Sequence, residues 1–182
     1  ALISTPTEHL GVNYYSRAIA RAEGADPNAP RSIPEPPAET LTDMGWEVYP
    51  EGLRELLLRL HADYAPARIY ITENGAAYDD GPGVDGRIRD VRRQRFLQSH
   101  LAACLEALAQ GAPLAGYFVW SLLDNFEWRH GYEKRFGLVW VDYETQQRTI
   151  KDSGRFYARV IAENSLVVDD LAETANPKER GR

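Results

Sequence analysis

Ile69-Tyr70-Ile71-Thr72-Glu73-Asn74-Gly75-Ala76 is the stretch on which the reading of this chain turns. Its β-branched and aromatic residues suit a pleated, half-buried strand. The run reaches a carboxylate and then breaks at Asn-Gly, a pair that ends regular structure. Glu73 is therefore expected at the carboxyl end of a strand, where α/β enzymes place their chemistry. Leu114 to Leu123 is continuously apolar and reads as a strand buried on both faces. It leads into the aromatic and acidic cluster Trp120-Ser-Leu-Leu-Asp124-Asn-Phe-Glu127-Trp128. Two such strand ends imply one shared pocket.

Outward from these, Leu10-Gly-Val-Asn-Tyr-Tyr-Ser16 reads as an earlier buried strand, and Arg68 to Glu73 as the next. Leu53, Leu56, Leu57 and Leu60 recur at helical spacing between Pro50 and Leu60. Asp90 is expected to cap a second helix with apolar positions Phe96, Leu97, Leu101, Leu105 and Leu108, ending at Gly111. Phe136 to Tyr143 and the turn after it suggest a small hairpin, and Asp152-Ser153 the cap of a last helix through Ile161. Glu23 to Thr40 is too rich in proline for helix and reads as a long surface loop. Residues 1–165 form the expected domain and 166–182 a polar tail. The order strand-helix, three times over, predicts a parallel α/β sheet. Three units do not close an eight-stranded barrel. The sheet is either open or part of a barrel whose other strands lie elsewhere.

A length of 182 residues with 43% hydrophobic and 26% charged residues suits a globular domain with a real core. A net charge of −6 argues against nucleic acid as a partner. Arg87, Arg89, Arg92, Arg93 and Arg95 cluster, but Asp85 and Asp90 sit among them, which reads as a solvated loop and helix start. The single cysteine, Cys104, lies in an apolar helical stretch and is expected to be buried and inert. One cysteine allows no internal disulfide, which fits a reducing, cytoplasmic setting. No apolar run approaches membrane-spanning length, so no membrane partner is expected. His9, His61, His100 and His130 show no ligand spacing, and no glycine-rich phosphate loop follows a strand. Neither a metal nor a cofactor is expected.

Asn13, Tyr15, Trp46, Trp120, Glu127 and Trp128 all fall at strand ends or in the loops after them. Indole faces cover the C–H patches of a pyranose while carboxylates accept its hydroxyls, so this mixture suits a sugar site. Plainer readings stand beside it. Glu73 alone is also what a helix cap or surface ion pair requires, Trp120 also suits a barrel core, and Glu127-Trp128 an ordinary loop. Of Tyr14 and Tyr15, on opposite strand faces, one is expected in the core.

These motifs resemble the retaining β-glycosidases of glycoside hydrolase family one, the β-glucosidase family. Ile71-Thr-Glu-Asn-Gly75 matches the nucleophile signature, and Leu10 to Ser16 the strand before it. Thr42-Asp-Met-Gly-Trp46-Glu-Val-Tyr-Pro50 matches the loop between. Trp120 to Trp128, Gly131-Tyr-Glu-Lys-Arg-Phe-Gly137 and Val141-Asp-Tyr143 match the last strand and its loop. The resemblance implies that Glu73 attacks the anomeric carbon and that Tyr15 holds it in line. It gives Glu127 and Trp128 the sugar hydroxyls, Trp120 the ring platform, and Asn13 and Phe136 the lining of the same subsite. Trp46 falls on the leaving-group side, the Trp120–Ser121 peptide is expected to be cis, and His9 is a departure expected to lie outside the site.

Retaining hydrolysis also needs an acid/base carboxyl about 5–5.5 Å from the nucleophile. The family's Asn-Glu-Pro motif for that group does not occur here. The resemblance thus implies an α/β fold of a particular kind, the C-terminal part of a (β/α)8 TIM barrel. It comprises about strands six to eight with their helices and is incomplete as an isolated chain. The expected partners are a β-glucoside and an N-terminal half of the same barrel that brings the acid/base. An anionic Glu127 favours an unphosphorylated sugar. The competing expectation is an inactive half-barrel that binds sugar or serves assembly.

Overall fold

The computed structural model describes residues 7–20 and 35–166. Most of the proline-rich stretch and all of the tail after Leu166 lie outside the described residues. Strands β1 (Leu10–Asn13), β2 (Ile69–Asn74) and β3 (Leu114–Val119) form one parallel sheet in that spatial order. Helix α1 (Pro50–Tyr64) joins β1 to β2 and α2 (Val91–Ala109) joins β2 to β3. After β3 come a short antiparallel pair, β4 (Val139–Val141) and β5 (Arg148–Ile150), and helix α3 (Asp152–Glu163). The expected α/β order of elements is present.

Each helix follows from its local sequence. Pro50 stands at the first turn of α1, where its missing N–H costs nothing. Leu53 and Leu57, one turn apart, are fully buried against the sheet. The helix runs one turn beyond Leu60 and stops at Ala65 in the left-handed conformation, with Pro66 behind it. Along α2 the buried stripe is Phe96, Leu97, His100, Ala103, Cys104 and Ala107, and Gly111 turns the chain with φ +96°. Val12, Tyr14, Ile69 and Ile71 meet Leu53, Leu57 and Cys104 in one core between the sheet and α1 and α2. A second core under the strand ends joins Ala76, Tyr78, Phe96, Leu97, Leu138 and Phe156.

Several expectations need correction. The first strand ends at Asn13 rather than Ser16, and the third at Val119 rather than Leu123. Nor is β3 buried on both faces, since Phe118 is 57% exposed. The face opposite the helices also leaves Asn13 and Thr72 open. Asp90 and Asp152 stand at helix starts without a side-chain capping bond. Asp152 instead accepts from Arg87 Nε at 2.8 Å, and Ser153 donates both its backbone N–H (2.8 Å) and its hydroxyl to Asp90.

The arginine cluster is only partly solvated. Arg89 pairs with Asp85 at the surface, but Arg93 is 1% exposed. Its guanidinium meets Asp80 and Asp90 and donates to the Arg135 carbonyl at 2.7 Å. Asp124, also buried, accepts from Arg135 (2.7 Å), from Lys151 (3.2 Å) and from the Gly137 N–H (2.9 Å). Lys151 reaches Asp80 as well. Three carboxylates and three cations thus balance beneath the strand-end loops. Burial, then Arg93, holds the Lys151 ammonium below its ordinary value against the pull of Asp80 and Asp124.

Removing one member of such a group strands its partners in a medium that solvates charge poorly. Arg93→Met is expected to cost about 3–5 kcal/mol, read as a lowered urea midpoint. A second expectation concerns His100, which is fully buried and stacked on Phe96 at 3.9 Å. Its Nδ1 donates to the Phe96 carbonyl at 2.8 Å, and its Nε2 has no partner. Burial pushes its pKa down to about 4 from 6.5. The folded state therefore refuses a proton that the unfolded chain accepts. The stability this neutral ring contributes is present above pH 6.5 and fades as pH falls toward 4. The loss reaches about 3 kcal/mol. Urea midpoints compared at pH 7 and pH 4.5 should fall less in His100→Leu than in the parent.

Candidate active site

Glu73 sits one residue before the end of β2, where the ladder with β1 slips so that Asn13 stands opposite Glu73. Slips of this kind re-aim side chains next to functional sites. The Tyr15 hydroxyl donates to Glu73 Oε2 at 2.7 Å. Burial first, then this hydrogen bond, pushes the Tyr15 phenol well above its ordinary value. Tyr15 is thus a fixed donor to the carboxylate. Tyr14, on the other strand face, is the core tyrosine of the pair.

An aromatic hollow surrounds that contact. The rings of Tyr15 and Trp46 lie 5.3 Å apart, and Phe136 is 6.2 Å from each. These separations fit the edge-on and tilted pairings that aromatic quadrupoles favour. Phe136 is held from beneath, because its carbonyl accepts from Ser121 N–H at 3.2 Å and its neighbour Gly137 is bonded to Asp124. The Trp120–Ser121 peptide is cis, as the resemblance implied.

Glu127 belongs to the same electrostatic field. Its carboxyl is pushed up by partial burial and then by the charge of Glu73, while His130 opposes the shift. The loop holds its shape through Glu127 N–H to the Gly131 carbonyl at 2.6 Å and a left-handed Trp128, φ +44°. Trp128 is 81% exposed. Asn13 lies on the same rim, but its side chain accepts from the Thr72 hydroxyl at 2.6 Å rather than touching Glu73. His9 packs edge-on against Tyr70 at 5.8 Å, at the opposite end of β1. The structure therefore brings Tyr15, Trp46, Phe136 and Glu127 to Glu73, and leaves Trp128 reaching into open space.

The residues that position Glu73 were not legible as such. Asn74 is fully buried. Its Nδ2 donates to the Tyr14 carbonyl at 2.7 Å, its Oδ1 accepts from the Tyr117 hydroxyl, and its carbonyl accepts from Trp120 N–H at 2.9 Å. One residue thus ties all three strand ends together beside the carboxylate. Gly75 is required for a different reason, because a Cβ there would collide with the Trp120 carbonyl. The Asn-Gly pair signals a turn in sequence, and nothing in it announces a buried amide. Among the described residues, no group of acidic, histidine or cysteine side chains could hold a metal ion. No described helix is long and apolar enough to cross a membrane.

Comparison with known proteins gives this geometry its context. β-Glucosidase A of Thermotoga maritima is 46% identical over 171 residues, covering 90% of this chain and 36% of the relative. A 6-phospho-β-galactosidase of Streptococcus equi subsp. zooepidemicus is 45% identical over 126 residues, covering 69% of this chain and 27% of the relative. The solved structure of the T. maritima β-glucosidase in complex with glucoimidazole superposes with a TM-score of 0.76 at 46% identity, over 87% of this chain and 35% of that one. The matched part of this chain thus spans between about a quarter and a little over a third of the length of such relatives. The profile of glycosyl hydrolase family 1 matches residues 1–166, which takes in both strand ends and every side chain of the hollow. On that match and those identities, the chain belongs to glycosyl hydrolase family 1.

Proposed function

We propose that this chain carries the nucleophile of a retaining β-glycosidase of the β-glucosidase type. The observation that carries the reading is the Tyr15–Glu73 hydrogen bond of 2.7 Å inside a hollow walled by Trp46 and Phe136. Glu73 attacks the anomeric carbon, the bond to the leaving oxygen breaks, and a covalent glycosyl-enzyme forms. Tyr15 limits the carboxylate to the rotamer that faces the sugar. Trp120 supplies the ring platform, Glu127 and Trp128 take its hydroxyls, and Asn13 and Phe136 complete the subsite. Trp46 borders the leaving group. A second Glu, on strands outside this segment, protonates the leaving oxygen and then activates water.

In this reading residues 1–165 are the C-terminal part of a (β/α)8 barrel, about strands six to eight. Support comes from the open face of the sheet, where Asn13, Thr72 and Phe118 stand uncovered. Two parallel edges, β1 and β3, have no further partner among the described residues. Strands from the remainder of the barrel are the partner that fits both. The sugar is unphosphorylated, because an ionised Glu127 repels a phosphoryl group. One relative is named a 6-phospho-β-galactosidase, so the phosphorylated sugar is the alternative to test.

The test is a 2-fluoro glucoside with an activated leaving group. It is given to a polypeptide in which this chain is joined to the strands that close its barrel. Intact mass should rise by one fluoroglucosyl group, mapped to the peptide bearing Glu73, and Glu73→Gln should show neither adduct nor turnover. The isolated segment should hydrolyse no aryl glucoside, since general acid catalysis is worth about 10²–10⁴-fold. An adduct on another carboxylate overturns the assignment, and sugar binding with neither adduct nor turnover makes the segment a binding module.

Glu127 adds a pH signature. Its raised pKa means that it loses the acceptor form at a higher pH than an ordinary glutamate as the solution is acidified. Substrate affinity should therefore weaken on the acid side, as a rise in KM. Glu127→Gln should raise KM at every pH and remove that limb.

A further inference from the structure

Beyond Tyr15 the hollow continues into a cavity of about 520 Å³, a size within the range of small-molecule sites. Tyr15, Ser16, Arg17, Ile19, Trp46 and Glu47 line it, and no residue of the loop after β3 does. Tyr15 is shared, with its hydroxyl on Glu73 and its ring on the cavity.

Its polar wall is built rather than incidental. Arg17 Nε and Nη2 donate to the two oxygens of Glu47 at 2.6 and 2.9 Å, a bidentate pair. The guanidinium lies over the Tyr49 ring at 3.7 Å, and the Glu47 backbone carbonyl accepts from Ser16 Oγ at 2.9 Å. Glu47 is mostly buried, with 14% of its side chain exposed, against 36% for Arg17. The pair leaves capacity unused. A carboxylate offers about four acceptor directions and a guanidinium five N–H donors, and among the described residues the pair engages two of each. Trp46 lines the same cavity and adds an indole to its walls.

Resting on the hydrolase reading, we propose that the Arg17–Glu47 pair is a specificity determinant of the leaving-group subsite, selecting a hydroxylated glycosyl group over an aromatic one. A pyranose presents a C–H face to Trp46 and a rim of hydroxyls to Arg17 and Glu47. An aryl group satisfies the indole and leaves both charged groups facing carbon. Sites built to hydrogen-bond a hydroxyl reject analogues lacking it more strongly than apolar pockets reject an added group. The substrate class that follows is a β-linked glucosyl disaccharide or short oligosaccharide.

The experiment uses the barrel-complete polypeptide and the ratio of kcat/KM for cellobiose to that for an aryl β-glucoside. In Arg17→Met and in Glu47→Gln the ratio should fall about tenfold, the worth of one hydrogen bond of this kind. Because either single change strands a charge, the double variant Arg17→Met/Glu47→Met, which removes both, is measured alongside and should show the same fall. A thermal melt identifies which variants fold. Aryl turnover with a ratio unmoved within twofold in the folded variants overturns the proposal and leaves the hydrolase reading intact. Absence of turnover on both substrates in the unsubstituted polypeptide overturns the hydrolase reading and this proposal with it.

Discussion

The side-chain amide of Asn74 is the constraint from which the site follows. A carboxylate at a strand end is useful only if the strand end is held, and parallel strands splay where their ladders stop. Asn74 closes that gap by giving its N–H to the Tyr14 carbonyl, taking the Tyr117 hydroxyl, and lending its own carbonyl to Trp120. Buried amides are costly unless every group finds a partner, and here the partners come from both neighbouring strands. Glu73 precedes it and Gly75 follows it. The nucleophile candidate, the cis Trp120–Ser121 step and the shoulder of β1 therefore move as one body.

A second layer of order lies beneath the loops. Asp80, Asp90, Asp124, Arg93, Arg135 and Lys151 form a balanced group of charges where an apolar core would ordinarily sit. Replacing such a group with hydrocarbon is often neutral for stability, so its presence is better understood through direction than through strength. Apolar contacts tolerate sliding, whereas a bidentate or forked hydrogen bond does not. Asp124 holds Gly137 and Arg135, and the segment between them carries Phe136 to its place against Tyr15 and Trp46. The hollow keeps its shape because the loops that wall it are bolted to the starts of α2 and α3.

The sheet itself is finished on one face only. Against α1 and α2 it buries Val12, Ile69 and Ile71. On the other, Phe118 stands 57% exposed beside Thr72 and Asn13. An uncovered aromatic on the face of a parallel sheet is unusual, since such sheets are normally covered on both sides. The chain spans about a third of the length of the T. maritima relative.

Much of this was legible from residue order. The alternation of short β-branched runs with leucine-spaced segments marked the parallel α/β plan, and the break at Asn74-Gly75 put Glu73 at a strand end. The aromatic and acidic motifs named the neighbours of that carboxylate. These features are local, set by propensity, period and turn chemistry within a few residues, and so sequence alone determines them. Tertiary structure decided the rest. It set the Tyr15 hydroxyl, already named by the resemblance, on Glu73 at 2.7 Å and sent Tyr14 to the core, because strand pairing fixes which face each residue takes. It buried Arg93 within a run of arginines that otherwise reads as solvated, and turned Asp90 and Asp152 from helix caps into partners of Ser153 and Arg87. It exposed one face of β3, whose apolar run suggested two buried faces. Each of those outcomes depends on groups dozens of residues away, and no local pattern carries the distance at which opposite charges or a hydroxyl and a carboxylate finally meet.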